Sequence, residues 1–137
     1  MGFKHIFSLG LIIVLATANV CAQRTEAYVQ QHAPYLSAME LFDKEKYVAA
    51  QEQFGKVIDS YEGKWKEEVY TNARYYHALC ALRLYQDDAE FLLLNFLKEL
   101  PESPKVKQVY FQLGLFKFRK RRYKDVIAYL TKIDIYE

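Results

Sequence analysis

The stretch Gly114–Ile133, GLFKFRKRRYKDVIAYLTKI, carries the pattern from which the fold can be predicted. A small residue, Gly114, opens it, and apolar residues follow at steps of nine, three, four and three: Tyr123, Val126, Leu130 and Ile133. Steps of three and four place side chains on one face of an α-helix. The polar run RKRR interrupts the pattern, so the stretch predicts two amphipathic helices joined by a short turn in water.

The same pattern occurs twice more along the chain. Ala38–Ile58, AMELFDKEKYVAAQEQFGKVI, repeats the four steps without change. Ala78–Pro101 is one residue shorter between its small residue and its second helix, and Ala89, Leu93 and Phe96 continue the apolar face. The polar breaks of the three copies are DKEK, QDD and RKRR. Three helix–turn–helix repeats are therefore predicted, with the small residue of each allowing its two helices to approach closely.

The predicted secondary structure is all-α, because no stretch has the alternation of a β-strand. Ser103-Pro104 has the chemistry of an N-cap followed by a first helical residue, and Pro101 ends the helix before it. Six helices are expected, at about residues 34–44, 47–61, 66–85, 87–100, 104–120 and 123–135, with a loop at 61–65.

These spacings, with a proline after the second helix, resemble the tetratricopeptide repeat (TPR) family over about residues 34–135. The early tryptophan of that family is absent, and Tyr110 stands at its place in the third copy. The long repeats and the DSY and LPESP connections are similar to the BamD-like outer-membrane assembly lipoproteins of the bacterial cell envelope. The resemblance implies a right-handed α-solenoid of three repeats, at about 31–62, 66–101 and 104–137, whose first helices line a concave groove.

The first 22 residues have the features of a secretory signal peptide. Lys4 precedes an apolar stretch from Ile6 to Ala18, which is shorter than the roughly 20 residues of a membrane-spanning helix. Cleavage after Ala22 leaves residues 23–137 as the repeat domain, and cleavage after Ala18 is the alternative. The expected location is the periplasm or the periplasmic face of the outer membrane.

Cys21 allows another interpretation, in which the chain is a lipoprotein acylated at this residue. Contact with a membrane is expected only through such a lipid or through a partner. Loss of residues 1–22 removes only Lys4 from the 19 Lys and Arg, which then face 17 Asp and Glu. A net charge near +1 gives no general attraction to nucleic acid.

Counting from the small residue of each repeat gives a predicted partner-binding groove on the first helices. It consists of Tyr35, Met39, Phe42, Tyr75, Leu79, Arg83, Phe111, Leu115, Phe118 and Arg119. Rigid aromatic and aliphatic groups with arginines at the rim suit a peptide or helix of another protein. Ordinary core packing is the alternative role for the same residues.

No pattern for catalysis, a cofactor or a metal occurs. His32 and His77 fall in different repeats, no HExxH or CxxC occurs, and Cys80 is expected to be a buried small hydrophobe. No enzyme activity and no small-molecule substrate are expected. The predicted function is a non-catalytic interaction scaffold that binds other proteins of the cell envelope. The alternative is an N-terminal structural segment of a longer repeat protein or oligomeric assembly, without a ligand groove of its own.

The basic run 117–124 has six Lys or Arg in eight residues and is interpreted within the third repeat. Tyr123 and Val126 are assigned to the core, and Phe118 and Arg119 to the groove. The remaining cations are predicted to be solvated turn residues: Lys120, Arg121, Arg122 and Lys124.

Overall fold

A computed structural model describes residues 32–61 and 67–133. Contacts divide the chain into two units, residues 1–33 and 34–137, and the second is the unit considered below. The described residues form six helices and no strand: α1 at 32–43, α2 at Tyr47–Ser60, α3 at Glu68–Arg83, α4 at Ala89–Glu99, α5 at Val106–Arg119 and α6 at Tyr123–Leu130. The all-α prediction is confirmed for this part of the chain.

The helix ends differ from their predicted positions by a few residues. α5 begins at Val106 instead of 104, although Ser103 Oγ does accept a hydrogen bond from the Lys105 N–H at 3.1 Å. α6 ends at Leu130 instead of 135. The N–H groups of Lys132 and Ile133 donate to carbonyls three residues earlier, at 3.2 and 3.1 Å, so the helix closes in a tighter turn. The predicted signal peptide, Cys21 and most of the loop at 61–65 lie outside the described residues.

The three turns inside the predicted repeats have the same backbone geometry. Each contains one non-glycine residue in the left-handed region: Glu45 at φ 57°, Tyr85 at φ 57° and Arg121 at φ 59°. In each turn this residue and the next donate to carbonyls three and five residues earlier, which is the Schellman pattern that ends α-helices. The left-handed residue lies seven positions after Ala38, Ala78 and Gly114, so the register found in the sequence is also the register of the backbone.

Two clusters of buried side chains form the core and meet at α3. One joins α1, α2 and α3 around Phe54, Val57 and Cys80. The other joins α3, α4 and α5 around Leu93, Phe96 and Leu113. α3 therefore buries side chains towards both neighbours. From α2 to α6, the extensive helix contacts of the described residues connect helices that follow each other in sequence.

The three small residues of the pattern are buried, as the sequence predicts for places of close helix approach. Ala38 and Ala78 are at most 1% exposed. A Cβ atom on Gly114 would lie 2.9 Å from Cδ2 of Leu130, so α6 presses directly on this position of α5.

The assignment of Tyr123 to the core is wrong. Its side chain is largely exposed and its ring packs only at the edge of the fold, against Phe118 with 5.9 Å between centroids. In the first repeat the equivalent ring, Tyr47, is half-buried and packs against the first core cluster, to which α3 contributes. Within the described residues no helix takes the place of α3 beside α5 and α6, which explains the exposure.

Candidate functional site

The α1 residues of the predicted groove are half-buried among the first three helices. Tyr35 packs against Phe54 with 6.1 Å between ring centroids, and burial raises its pKa to about 12. Phe42 contacts Tyr47 of α2 at 5.5 Å and Tyr76 of α3 at 5.1 Å, both edge to face. Met39 also packs against the first cluster. These side chains contribute to the contacts that hold α1 to α2 and α3.

The α3 residues of the predicted groove separate into two environments. Tyr75 and Leu79 are each 7% exposed and belong to the second core cluster, where Tyr75 meets Phe96 with centroids 6.3 Å apart. Burial raises the pKa of the Tyr75 hydroxyl. Arg83, at the end of α3, is exposed.

The α5 residues of the predicted groove are on the surface. Phe111, Leu115 and Phe118 are exposed apolar side chains, and Arg119 is exposed beside them. Three of the predicted residues come together in a cleft between α3 and α5, which we call the α3–α5 cleft. Its lining is Leu82, Arg83, Gln112, Leu115, Phe116 and Arg119.

The α3–α5 cleft combines an apolar lining with two guanidinium groups. Leu82 and Phe116 are held by the second core cluster, so the apolar part of the cleft is anchored by the core. Arg83 and Arg119 each provide several N–H donors suited to a carboxylate, and Gln112 provides an amide. The cleft is small, with a volume of about 10 Å³, so a partner group would contact Leu115 and the two guanidinium groups at the surface instead of entering a pocket.

A second exposed apolar surface combines Phe118, which was predicted as a groove residue, with two residues that were not. It consists of Phe118, Tyr123 and Ile127, which are 57%, 56% and 64% exposed, and we call it the terminal face. A sequence signal for it does exist: Phe42 and Tyr47 stand at the same register as Phe118 and Tyr123, five residues apart in both copies. The structure pairs the rings in both repeats, at 5.5 Å and 5.9 Å.

The basic run divides into a buried cation and an exposed rim. Lys117 is buried and its ammonium lies 2.5 Å from Glu90 Oε1 on α4. Arg122 Nε lies 2.6 Å from Asp125 Oδ2, and Lys120 Nζ lies 4.2 Å from the centroid of the Phe116 ring. The prediction of solvated turn residues is confirmed for Lys120, Arg121 and Arg122, whereas Lys124 is also exposed but lies in the first turn of α6. We call these four residues the basic rim.

The titratable groups of the interior have the features of structural residues. Cys80 is fully buried, as predicted, and burial raises the pKa of its thiol to about 12, which disfavours the nucleophilic thiolate. Burial lowers the pKa of His77. Among residues 32–61 and 67–133, no three His, Cys, Asp or Glu side chains are grouped as a metal site would need. No helix in these ranges has the length and apolar character for crossing a membrane.

No protein-family model, curated protein sequence or solved structure matches this chain.

Proposed function

We propose that this chain is a non-catalytic protein-interaction scaffold of the bacterial cell envelope, built as a right-handed solenoid of three TPR-like repeats. The three identical turns and the contacts between successive helices support the repeat architecture. The signal-like residues 1–22 support export to the periplasm. In this proposal the partners are other envelope proteins, and no nucleic acid, cofactor or small-molecule substrate is involved.

The observation that carries the proposal is the α3–α5 cleft. It brings Leu115, Arg83 and Arg119 into one lining, and Phe111 is a further exposed apolar side chain of α5. Aromatic and arginine side chains are enriched at protein interfaces, and clustered exposed apolar groups mark binding surfaces. We propose that a peptide or helix of the partner lays an apolar side chain on Leu115 and an acidic group between Arg83 and Arg119.

Site-specific crosslinking in cells tests this function. A photoreactive phenylalanine replaces Leu115 in one strain and Phe91 in a second, because Phe91 is an apolar residue of α4 that is more exposed than Leu115, at 65% against 38%. Crosslinks to an envelope protein are expected from position 115 and not from position 91. The double variant Phe111→Ser/Leu115→Ser should lose the partner in a pull-down, while Phe91→Ser should retain it and the helical circular dichroism of both should remain. Equal crosslinking from both positions, or capture that survives the double variant, would contradict the proposal.

The terminal face favours a second candidate function. In that case the chain is a structural segment of a longer repeat protein or an oligomeric assembly, and its exposed rings are packing surface. Light scattering after size-exclusion chromatography discriminates the two candidates. An oligomer that dissociates when Ile127 is replaced by serine supports the structural role, and a monomer that crosslinks through position 115 supports the scaffold.

A further inference from the structure

The first repeat shows what covers an aromatic pair of the kind found on the terminal face. Phe42 and Tyr47 meet at an interplanar angle of 69°, and Phe118 and Tyr123 meet at 68°. The first pair is covered by α3, whose Tyr76 ring lies 5.1 Å from Phe42. The second pair has no such ring on it among the described residues. The chain thus contains both an uncovered aromatic pair and, two repeats earlier, an equivalent pair that is covered by a helix.

The direction of the covering helix is fixed by a pair of amides. Gln51, the fifth residue of α2, and Gln86, three residues after the end of α3, exchange two hydrogen bonds of 2.8 Å and 2.9 Å. The segment after the C-terminal end of α3 therefore lies beside the N-terminal half of α2. A helix that covers α5 and α6 in the same way has its C-terminal end beside the N-terminal half of α6, next to the basic rim.

The charge of that location differs between the two repeats. The first repeat has Asp43, Lys44, Glu45 and Lys46 at its turn, where the charges balance. The third repeat has four consecutive cations, Arg119 to Arg122, and then Lys124. The one acidic residue of the segment 119–125 is Asp125, which pairs with Arg122. The end of a helix has unpaired carbonyls and a partial negative charge. A basic rim at that place favours a helix end that carries further negative charge.

A second copy of this chain is a poor cover for the terminal face. In a head-to-tail arrangement, α1 of the second copy would pack on the terminal face of the first. Leu36 of α1 would then take the position of Tyr76, because each stands two residues before the small residue of its repeat. Four residues later, however, the register of the buried Cys80 is occupied by Glu40, an exposed carboxylate paired with Lys44. Docking would bring this charged pair against the apolar face of α6.

We propose that the terminal face binds an amphipathic helix of a partner protein, with an aromatic residue at the register of Tyr76 and acidic residues just after its C-terminal end. Phe118, Tyr123 and Ile127 receive its apolar side, and Arg121 and Lys124 receive its acidic end. This site is separate from the α3–α5 cleft and goes beyond the function proposed for it.

The chain itself supplies a probe. Residues 68–88, EVYTNARYYHALCALRLYQDD, contain α3 and the two aspartates that follow it. A fluorescent synthetic peptide of this sequence is titrated with the intact chain under reducing conditions, and binding is followed by anisotropy. The peptide is expected to bind, and a Tyr76→Ala peptide to bind about tenfold or more weakly, because it lacks a large buried aromatic group.

Variants of the intact chain locate the bound peptide. Ile127→Ser is expected to weaken binding about tenfold, and Val48→Ser, which changes an equally exposed apolar residue of α2, to leave it unchanged. Arg121→Glu/Lys124→Glu should also weaken binding, with a loss that shrinks at high salt. Arg122 is kept because its guanidinium pairs with Asp125. A Gln86→Leu peptide should bind more tightly, since Ile127 stands where Gln51 stands in the first repeat.

Three outcomes would overturn the proposal. They are an absence of peptide binding, binding that is unaffected by Ile127→Ser, and self-association of the chain that is lost in this variant, which would make a second copy the occupant. The Phe111→Ser/Leu115→Ser chain separates this site from the proposed function. If that chain loses the peptide while Ile127→Ser retains it, the terminal-face proposal fails and the cleft proposal stands. If the peptide binds as expected but position 115 captures no envelope protein, the cleft proposal fails and the terminal-face proposal stands.

Discussion

The ammonium of Lys117 on α5 lies 2.5 Å from Oε1 of Glu90 on α4, and the two side chains are only 5% and 28% exposed. The equivalent residues of the first and second repeats are Leu41 and Ala81, so only the third repeat has a charge at this register. An ammonium taken out of water needs a partner, because an unpaired buried charge is strongly destabilising. Glu90 is therefore required by Lys117.

Removal of the Glu90 carboxylate alone should lower the free energy of unfolding more than removal of both charges of the Lys117–Glu90 pair. Glu90→Ala is expected to destabilise the fold by about 2–3 kcal/mol, less than the loss of a fully buried pair because Glu90 is partly in water. The double variant Lys117→Leu/Glu90→Leu is expected to lose less than Glu90→Ala alone, since it leaves no buried charge. Urea unfolding followed by circular dichroism measures both. A double variant that is less stable than Glu90→Ala would contradict this account.

Tyr85 occupies a left-handed backbone position at φ 57° with a largely exposed side chain. Left-handed conformation costs a residue with a Cβ roughly 1–2 kcal/mol, and part of this is offset by the greater chain entropy of glycine when unfolded. Tyr85→Gly is therefore expected to raise the free energy of unfolding by about 0.5–1 kcal/mol. Tyr85→Val should lower it, because a β-branched residue is disfavoured there. Equal stabilities of the two variants in urea would show that the turn is not strained.

The periodicity of the sequence was sufficient to predict the helices and the small residues, because both depend on spacing along one helix face. Ala38, Ala78 and Gly114 could be found in this way, and all three are buried. The left-handed turn residues could not be predicted from the sequence. Glycine usually marks such positions, and here Glu45, Tyr85 and Arg121 occupy them.

The surfaces were harder to predict than the helices, since exposure depends on which helices pack on a given face. Counting groove positions from the small residue of each repeat treats the three repeats alike. Leu79 on α3 is nevertheless buried in the second core cluster, whereas Leu115 at the same register of α5 is exposed. This counting also assigned no role to Ile127, which lies on the second helix of its repeat. Lys117 could not be separated from the basic run without knowing that Glu90 faces it from α4.

His77 should make stability depend on pH near neutrality. Burial lowers its pKa below the ordinary value of 6.5, with Arg74 acting in the same direction and the carboxylates of Asp88 and Asp59 opposing it. Above 6.5 the imidazole is neutral in both the folded and unfolded chain. As the pH falls below 6.5, the unfolded chain takes up the proton first, so the free energy of unfolding decreases.

Urea unfolding between about pH 7.5 and about pH 5.5 measures this effect, which cannot exceed about 1.4 kcal/mol per pH unit for one proton. His77→Gln should flatten the dependence. Hydrogen bonds from Lys44 and Lys56 lower the pKa values of Glu40 and Glu52 from 4.5, so these carboxylates titrate below the measured pH range. A slope that His77→Gln leaves intact would assign the dependence to another group.

Gly55 and Gly114 are both inside helices, and they should respond differently to alanine. A Cβ at Gly55 would meet no atom within 4 Å, whereas a Cβ at Gly114 would lie 2.9 Å from Cδ2 and 3.2 Å from Cγ of Leu130. Gly55→Ala is expected to stabilise the fold by about 0.5–1 kcal/mol through helix propensity alone. Gly114→Ala should gain less, because Leu130 must move to make room, and Gly114→Val should destabilise by about 1–3 kcal/mol through overpacking. The three variants are compared by thermal and urea unfolding. If Gly114→Ala gains as much stability as Gly55→Ala, the close approach of α5 and α6 does not constrain this position.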